Sequence, residues 1–145
     1  MARFFKNFIK MKTDFIEIPT IEDYRGNIAV VDYGFLPFAV KRVYYLFDIP
    51  STARRGGHAH KEQFEFLIAI SGSFDLIFKT EIETKTVTLN KPNKGILIDK
   101  NVWRELDNFS SGAVCLVLAS DSFDENDYIR DFDEFIAYQK ITKNS

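Results

Sequence analysis

A chain of 145 residues, 46% hydrophobic and 28% charged, has the length and composition of one folded domain, which excludes disordered, collagen-like and mucin-like chains. Its 19 basic and 21 acidic residues leave a formal net charge of −2. Nothing therefore draws the whole chain toward nucleic acid or an anionic membrane, and an anionic ligand must be met locally.

Residues 1–13 are basic and aromatic and read as an N-terminal arm. They lack the apolar stretch of about 7–15 residues of a secretory signal, and no run in the chain approaches the roughly 18 apolar residues of a membrane span. A cytoplasmic protein is the expectation. From there the sequence alternates between short β-branched or aromatic runs and turn residues. Strands are expected over Phe15–Ile18, Ile28–Tyr33, Ala39–Phe47, Phe64–Ile70, Ser73–Lys79, Thr84–Leu89 and Ala113–Ala119. Turns fall at Arg25-Gly26-Asn27, Pro50-Ser51, Ser71-Gly72-Ser73, Asn90 to Gly95 and Ser110-Ser111-Gly112. Runs such as Phe66-Leu67-Ile68-Ala69-Ile70 and Val114–Leu118 are apolar at nearly every position, which points to strands covered on both faces, as in a sandwich or barrel. Cys115, the single cysteine, falls in such a run and reads as a small buried hydrophobe in a reducing compartment. Toward the end, Tyr128, Phe132, Phe135 and Ile136 recur at helical spacing behind Asp124-Glu125, so a C-terminal helix is expected over about residues 124–140. The predicted architecture is all-β, a cupin-like double-stranded β-helix (jelly-roll barrel) with a C-terminal α-helix, formed by residues 1–145 as a single domain.

Two histidines are all the chain has, and they stand together in Arg54-Arg55-Gly56-Gly57-His58-Ala59-His60-Lys61. In a strand, residues two apart share a face, so both imidazoles are expected in one cavity with Ala59 on the other side. Glu65 follows His60 after four residues and Gly72 after six more, the spacing of the first cupin motif without its leading glycine. A metal-binding cupin adds a third histidine from a later strand. Here Arg104 stands at that place with Asn108 at the expected interval. A guanidinium cannot ligate a metal and attracts an anion or a developing oxyanion, so no metal and no cofactor are expected. An imidazole that need not hold metal is suited to moving protons near neutral pH. In Lys41-Arg42-Val43-Tyr44-Tyr45 the alternation puts Arg42 and Tyr44 on one face. Trp103 is a candidate stacking surface for a base or sugar ring, and Arg25, Arg42, Arg55 and Arg104 are candidates for binding phosphates.

Arg25-Gly26 behind Asp23-Tyr24, the run Lys41–Tyr45, the segment Arg54–Lys61, Val102–Glu105 and the stretch Leu118–Phe135 together resemble the dTDP-sugar 3,4-ketoisomerases. The resemblance spans roughly residues 14–138. It implies a cupin-fold homodimer with exchanged strands, acting without metal on dTDP-4-keto-6-deoxyglucose. The 3-keto product would pass to a PLP-dependent aminotransferase, toward 3-amino-3,6-dideoxy sugars such as those of lipopolysaccharide O-antigen. By motif match, His58 is the base and Tyr44 a second proton carrier, His60 positions the sugar or the base, and Arg25 and Arg104 neutralise the enediolate or pyrophosphate. Many relatives carry glutamine at the position of Glu65. Tyrosine in place of Arg25 and histidine in place of Arg104 are the known alternatives, and the family divides between gluco and galacto products. Arg25 favours galacto and Arg104 gluco; the expectation taken here is the galacto product. A nucleotide-sugar-binding cupin without turnover, and a metal-dependent cupin enzyme, are the alternative readings.

Overall fold

The computed structural model describes residues 14–143; the expected N-terminal arm lies outside them. Twelve strands are present among the described residues: β1 (Ile16–Glu17), β2 (Thr20–Ile21), β3 (Ile28–Ala29), β4 (Arg42–Leu46), β5 (Arg55–His60), β6 (Glu65–Ser71), β7 (Phe74–Lys79), β8 (Thr84–Leu89), β9 (Lys94–Ile98), β10 (Trp103–Asp107), β11 (Val114–Ala119) and β12 (Tyr128–Ile129). They form two five-stranded sheets of order β1-β9-β6-β11-β4 and β12-β5-β10-β7-β8, with β2 and β3 as a separate hairpin. Every pairing is antiparallel. Strands consecutive in sequence often lie in opposite sheets, as β5 and β6 or β9 and β10 do, which is the winding of the expected double-stranded β-helix.

The period-2 pattern explains the layers. Leu67 and Ala69 of β6, Phe74, Leu76 and Phe78 of β7, Ile96 and Ile98 of β9, and Cys115 and Val117 of β11 all point between the sheets and form the main core. The intervening residues are buried too, because each sheet is covered from outside. Phe66, Ile68 and Leu118 pack beneath Ile18, Leu36 and neighbouring residues of segment 16–38. On the other sheet, Ala59 and Trp103 pack against Ile129 and Phe135. Full burial of one such large side chain stabilises by about 1.5–3 kcal/mol.

Two expectations about elements are corrected. Lys94–Ile98 and Trp103–Asp107 are strands; the first had been hidden in part by the turn composition of Asn90 to Gly95. The C-terminal helix, α1, spans Phe132–Lys143 and not residues 124–140. A short 3-10 turn at Glu125–Asp127 is capped by Asp124, whose carboxylate accepts the Asn126 N–H. Tyr128 then pairs with His60 and Ile129 with Ala59 across β5. Only after this does Asp131 accept the Glu134 N–H at 2.9 Å and start the helix. Backbone pairing with an open strand edge thus wins over helical periodicity from 128 to 129.

Gly95 marks a tight crossing of the core. A Cβ there would lie 2.7 Å from Cε2 of Phe66 and 2.8 Å from the Leu67 carbonyl oxygen. Neither the fully buried ring nor the paired backbone can yield cheaply. Gly95→Ala is expected to destabilise the fold by about 1–3 kcal/mol, read from the urea midpoint; an unchanged midpoint would contradict this packing.

Candidate active site

One cavity of about 440 Å³ opens between the two sheets. Arg42 and Tyr44 of β4, His58 of β5, Glu65 of β6 and Arg104 of β10 line it, with Arg55, Tyr128 and Arg130 also on its walls. Strand alternation delivers these side chains. Arg104 and Leu106 face inward while Trp103 and Glu105 face out, and Arg104 stands opposite His58 in the ladder. A register shift between Arg104 and Leu106, next to Gly56 at φ +75°, bends β5 and brings Arg55 to the cavity.

At the centre, Arg104 Nη1 donates to Glu65 Oε1 at 2.6 Å, and the two side chains are 1% and 2% exposed. The same Nη1 is 3.3 Å from His58 Nε2. Glu65 Oε2 accepts from the Tyr44 hydroxyl at 2.6 Å and from Gln63 Nε2 at 3.0 Å. Arg104 Nε and Nη2 are buried with no hydrogen-bond partner among the described residues, so two donors of a full cation remain for a ligand's oxygens. His58, His60 and Glu65 form the one cluster among the described residues with three donor groups close enough to hold a metal, all within 4.8 Å. The guanidinium already sits on Glu65 and against His58, so this donor set opposes a cation rather than welcoming one.

Burial, and next the Arg104 charge, press His58 down to about 2. The same two causes press His60 down to about 4. Both rings are therefore free bases throughout the neutral range. Tyr44 goes the other way: burial first, then the neighbouring Glu65 carboxylate, push its hydroxyl well above the usual phenol range. It stays a protonated donor.

Not every candidate residue meets the cavity. His60 is fully buried behind His58, with ring centroids 4.8 Å apart, and is not part of the lining, so the two imidazoles stand in series instead of side by side. Trp103, expected as a stacking platform, is corrected to a core residue: it is 4% exposed, packs on Phe132 and Phe135, and donates Nε1–H to Glu105 Oε2 at 2.8 Å. Its parity on β10, opposite to that of Arg104, is the reason. Arg25 sits on the exposed turn between β2 and β3, donates to both carboxylate oxygens of Asp23, and does not line the cavity of its own chain. Arg54 pairs outside with Glu105 and Asp107. Tyr128, Arg130, Gln63 and Asp127 belong to the site or its support and were not singled out from sequence. The Tyr128 ring packs at a tilt 4.4 Å from the His60 ring and 5.0 Å from the His58 ring, and the Arg130 guanidinium lies 4.2 Å over it. The signal for Tyr128, Arg130 and Asp127 was the Leu118–Phe135 motif, whose first half is too polar for a packed helix; Gln63 lies outside it, between β5 and β6.

A free base at pH 7 sets the acid limit of any chemistry at His58. The protonated form gathers only below about 4, so kcat/KM for a proton-transfer reaction should stay level from pH 8 to about 5.5. A limb near the ordinary imidazole value of about 6.5 would show that neither ring is depressed.

Comparison with known proteins places the chain. Residues 11–140 match the family model described as "FdtA: WxcM-like, C-terminal". A curated TDP-4-oxo-6-deoxy-alpha-D-glucose-3,4-oxoisomerase from Aneurinibacillus thermoaerophilus is 40% identical over 129 residues, 88% of this chain and 93% of the relative. Among solved structures, the WlaRB TDP-quinovose 3,4-ketoisomerase from Campylobacter jejuni superposes with a TM-score of 0.82 at 43% identity, covering 88% of this chain and 99% of that one. A mutant of the 3,4-ketoisomerase QdtA from Thermoanaerobacterium thermosaccharolyticum, in complex with TDP-4-keto-6-deoxyglucose, gives 0.87 at 36% identity over 92% and 97%. The RmlC epimerase of Mycobacterium tuberculosis, at 18% identity and a TM-score of 0.64 over 79% of this chain and 66% of that one, shares the fold. With its histidine pair, buried arginine and cation-lined cavity carried on that fold, the chain belongs to the FdtA/WxcM-like family of sugar 3,4-ketoisomerases.

Proposed function

We propose that this chain is a TDP-4-keto-6-deoxyglucose 3,4-ketoisomerase working by proton transfer alone. One observation carries the reading: a neutral imidazole at His58, two unpartnered donors on Arg104 and a protonated phenol at Tyr44 converge on one cavity. The C4 carbonyl acidifies the C3 hydrogen. His58 takes that proton, and the C–H electron pair becomes the C3–C4 double bond while the carbonyl pair moves onto O4. Arg104 receives the oxyanion. Return of a proton to C4, with loss of the O3 proton as C3 becomes the carbonyl, completes the exchange, and Tyr44 carries protons between the oxygens. No electrons leave the sugar, so no redox cofactor is required, and the Arg104 cation takes the charge-neutralising role a metal would fill. Arg42, Arg55 and Arg130 on the cavity wall suit the pyrophosphate.

The whole chain is read as one catalytic domain, cytoplasmic, whose product goes to a PLP-dependent aminotransferase. It is read as a homodimer with exchanged strands, because β4 is a sheet edge and Val43 and Tyr45 on it, with Phe47 just past its end, are 55%, 61% and 60% exposed. No helix among the described residues is long and apolar enough to cross a membrane.

The decisive experiment is turnover of TDP-4-keto-6-deoxyglucose in deuterated buffer, with and without chelator. Deuterium should enter the ring equally in both, and His58→Ala should lower the rate by about 10²–10⁴ while still binding TDP. Binding without exchange would make this a sugar-nucleotide binder, and loss under chelation would make it a metal enzyme.

Configuration at C4 follows from the face that receives the proton. The galacto expectation rested on Arg25, which lies outside the cavity of its own chain, whereas Arg104 is at the centre. The TDP-quinovose ketoisomerase is 43% identical, and quinovose has the gluco configuration. The product proposed is therefore the gluco 3-keto sugar. After trapping with a 3-aminotransferase, large axial H3–H4 and H4–H5 couplings are expected by NMR; a small H3–H4 coupling would mean galacto.

A further inference from the structure

The base in the cavity is joined to a second, separate cleft on the outer side of the protein. His58 Nε2 faces His60 Nε2 at 3.1 Å, and His60 Nδ1 faces Asp127 Oδ2 at 3.0 Å. His60 is 0% exposed and lines neither space. Asp127 does not line the main cavity; its side chain is 15% exposed and lines the outer cleft with Lys41, Glu62 and Asp124. Its placement is firm. Oδ1 accepts the Glu62 N–H at 2.8 Å, Oδ2 lies 3.3 Å from the Gln63 N–H, and the Asp127 carbonyl accepts from Lys61.

Counting protons shows what this row of groups is suited to hold. Arg104 Nη1, which can only donate, lies 3.3 Å from His58 Nε2, so that nitrogen is an acceptor and the His58 proton sits on Nδ1. The Asp127 carboxylate likewise holds the His60 proton on Nδ1. Two neutral imidazoles bring only these two protons. The bond between the two Nε2 atoms is the one left short, and it lies at the position where a proton taken from the sugar would arrive.

We propose that His58, His60 and Asp127 form a proton relay that connects the reacting carbon to solvent in the outer cleft. It rests on the ketoisomerase reading. As the C3–H bond breaks, its electron pair stays with the sugar and the proton goes to His58 Nε2. From there it passes to His60 Nε2, the Nδ1 proton of His60 moves to Asp127 Oδ2, and the carboxylic acid releases a proton to water in the cleft. A proton returning along the same path restores both tautomers, so the relay resets within each turnover. The route matters because a bound sugar nucleotide fills the main cavity, and His58 is only 9% exposed even without it.

Asp127→Asn tests this, since the amide keeps a carbonyl oxygen for the Glu62 N–H but cannot accept the His60 proton. Turnover should fall roughly tenfold or more, short of the full loss of a direct acid–base group of about 10²–10⁴, while TDP affinity by calorimetry is preserved. The discriminating readout is isotopic. In deuterated buffer at low conversion, substrate recovered from the wild-type enzyme should carry deuterium at C3; with Asp127→Asn the abstracted proton returns undiluted, and deuterium at C3 per product formed should drop. His60→Gln should do the same without touching the Asp127 loop contacts, and it serves if the first variant does not fold. Asp124→Asn, in the same cleft but without contact to His60, should behave as wild type. An unchanged isotope ratio in both relay variants, or TDP binding lost in parallel with turnover, would overturn the relay. Exchange by the wild-type enzyme tests the ketoisomerase reading separately.

Discussion

The ion pair of Arg104 with Glu65 is the contact on which the rest of the site depends. It joins β10 of one sheet to β6 of the other at 2.6 Å with both side chains almost wholly buried. Two charges in such a place are tolerated only when paired and hydrogen-bonded, and removing one partner of a buried pair typically costs about 3–5 kcal/mol. Here the extra bonds are supplied by Tyr44 and Gln63 on the carboxylate. The pair therefore does three things at once: it fixes the spacing of the sheets at the cavity, holds Tyr44 as a protonated donor, and places a cation against His58. A glutamine in place of Glu65 would keep one accepting oxygen, turn the other into a donor, and leave Arg104 without its counter-charge. The carboxylate makes this version of the site electrically balanced before substrate arrives.

That balance shapes the chemistry. In the proposed reaction, Arg104 weakens His58 as a base in the resting site, yet the same charge is available to O4 when the enediolate forms. Negative charge then grows on the sugar beside both groups, which offsets the guanidinium and raises the affinity of His58 for the proton it is taking. The two effects are matched in time because one arginine serves both. Further out, Arg42, Arg55 and Arg130 give the cavity wall a local positive character on a chain whose net charge is −2. Binding of a doubly charged pyrophosphate is thus a matter of where the cations are gathered and not of how many there are.

The segment after β11 shows how an ending that reads as a helix can complete an active site. Its polar first half closes onto β5, where Tyr128 covers both imidazoles and Asp127 reaches His60. Its apolar second half, α1, then packs Phe132 and Phe135 on Trp103 and holds the segment down. Trp103 contributes to the site through this support alone.

Sequence by itself determined the all-β architecture, because period-2 burial and turn composition are local properties, and most strands fell where alternation placed them. It also determined the chemical types at the centre: the His58 and His60 pair, Glu65 and Arg104 were legible from spacing, and Arg42 with Tyr44 from strand parity. What only the tertiary structure decided is which of these groups face the same space. The bulge beside Gly56 brings Arg55 to the cavity wall, and pairing of Tyr128 with His60 turns two residues near the start of an expected helix into a strand. The series order of the imidazoles depends on Asp127, 67 residues away from His60 in the chain. Parity assigns a face to each side chain, but contacts across sheets, and the burial that shifts a proton equilibrium, exist only once distant strands have closed on one another.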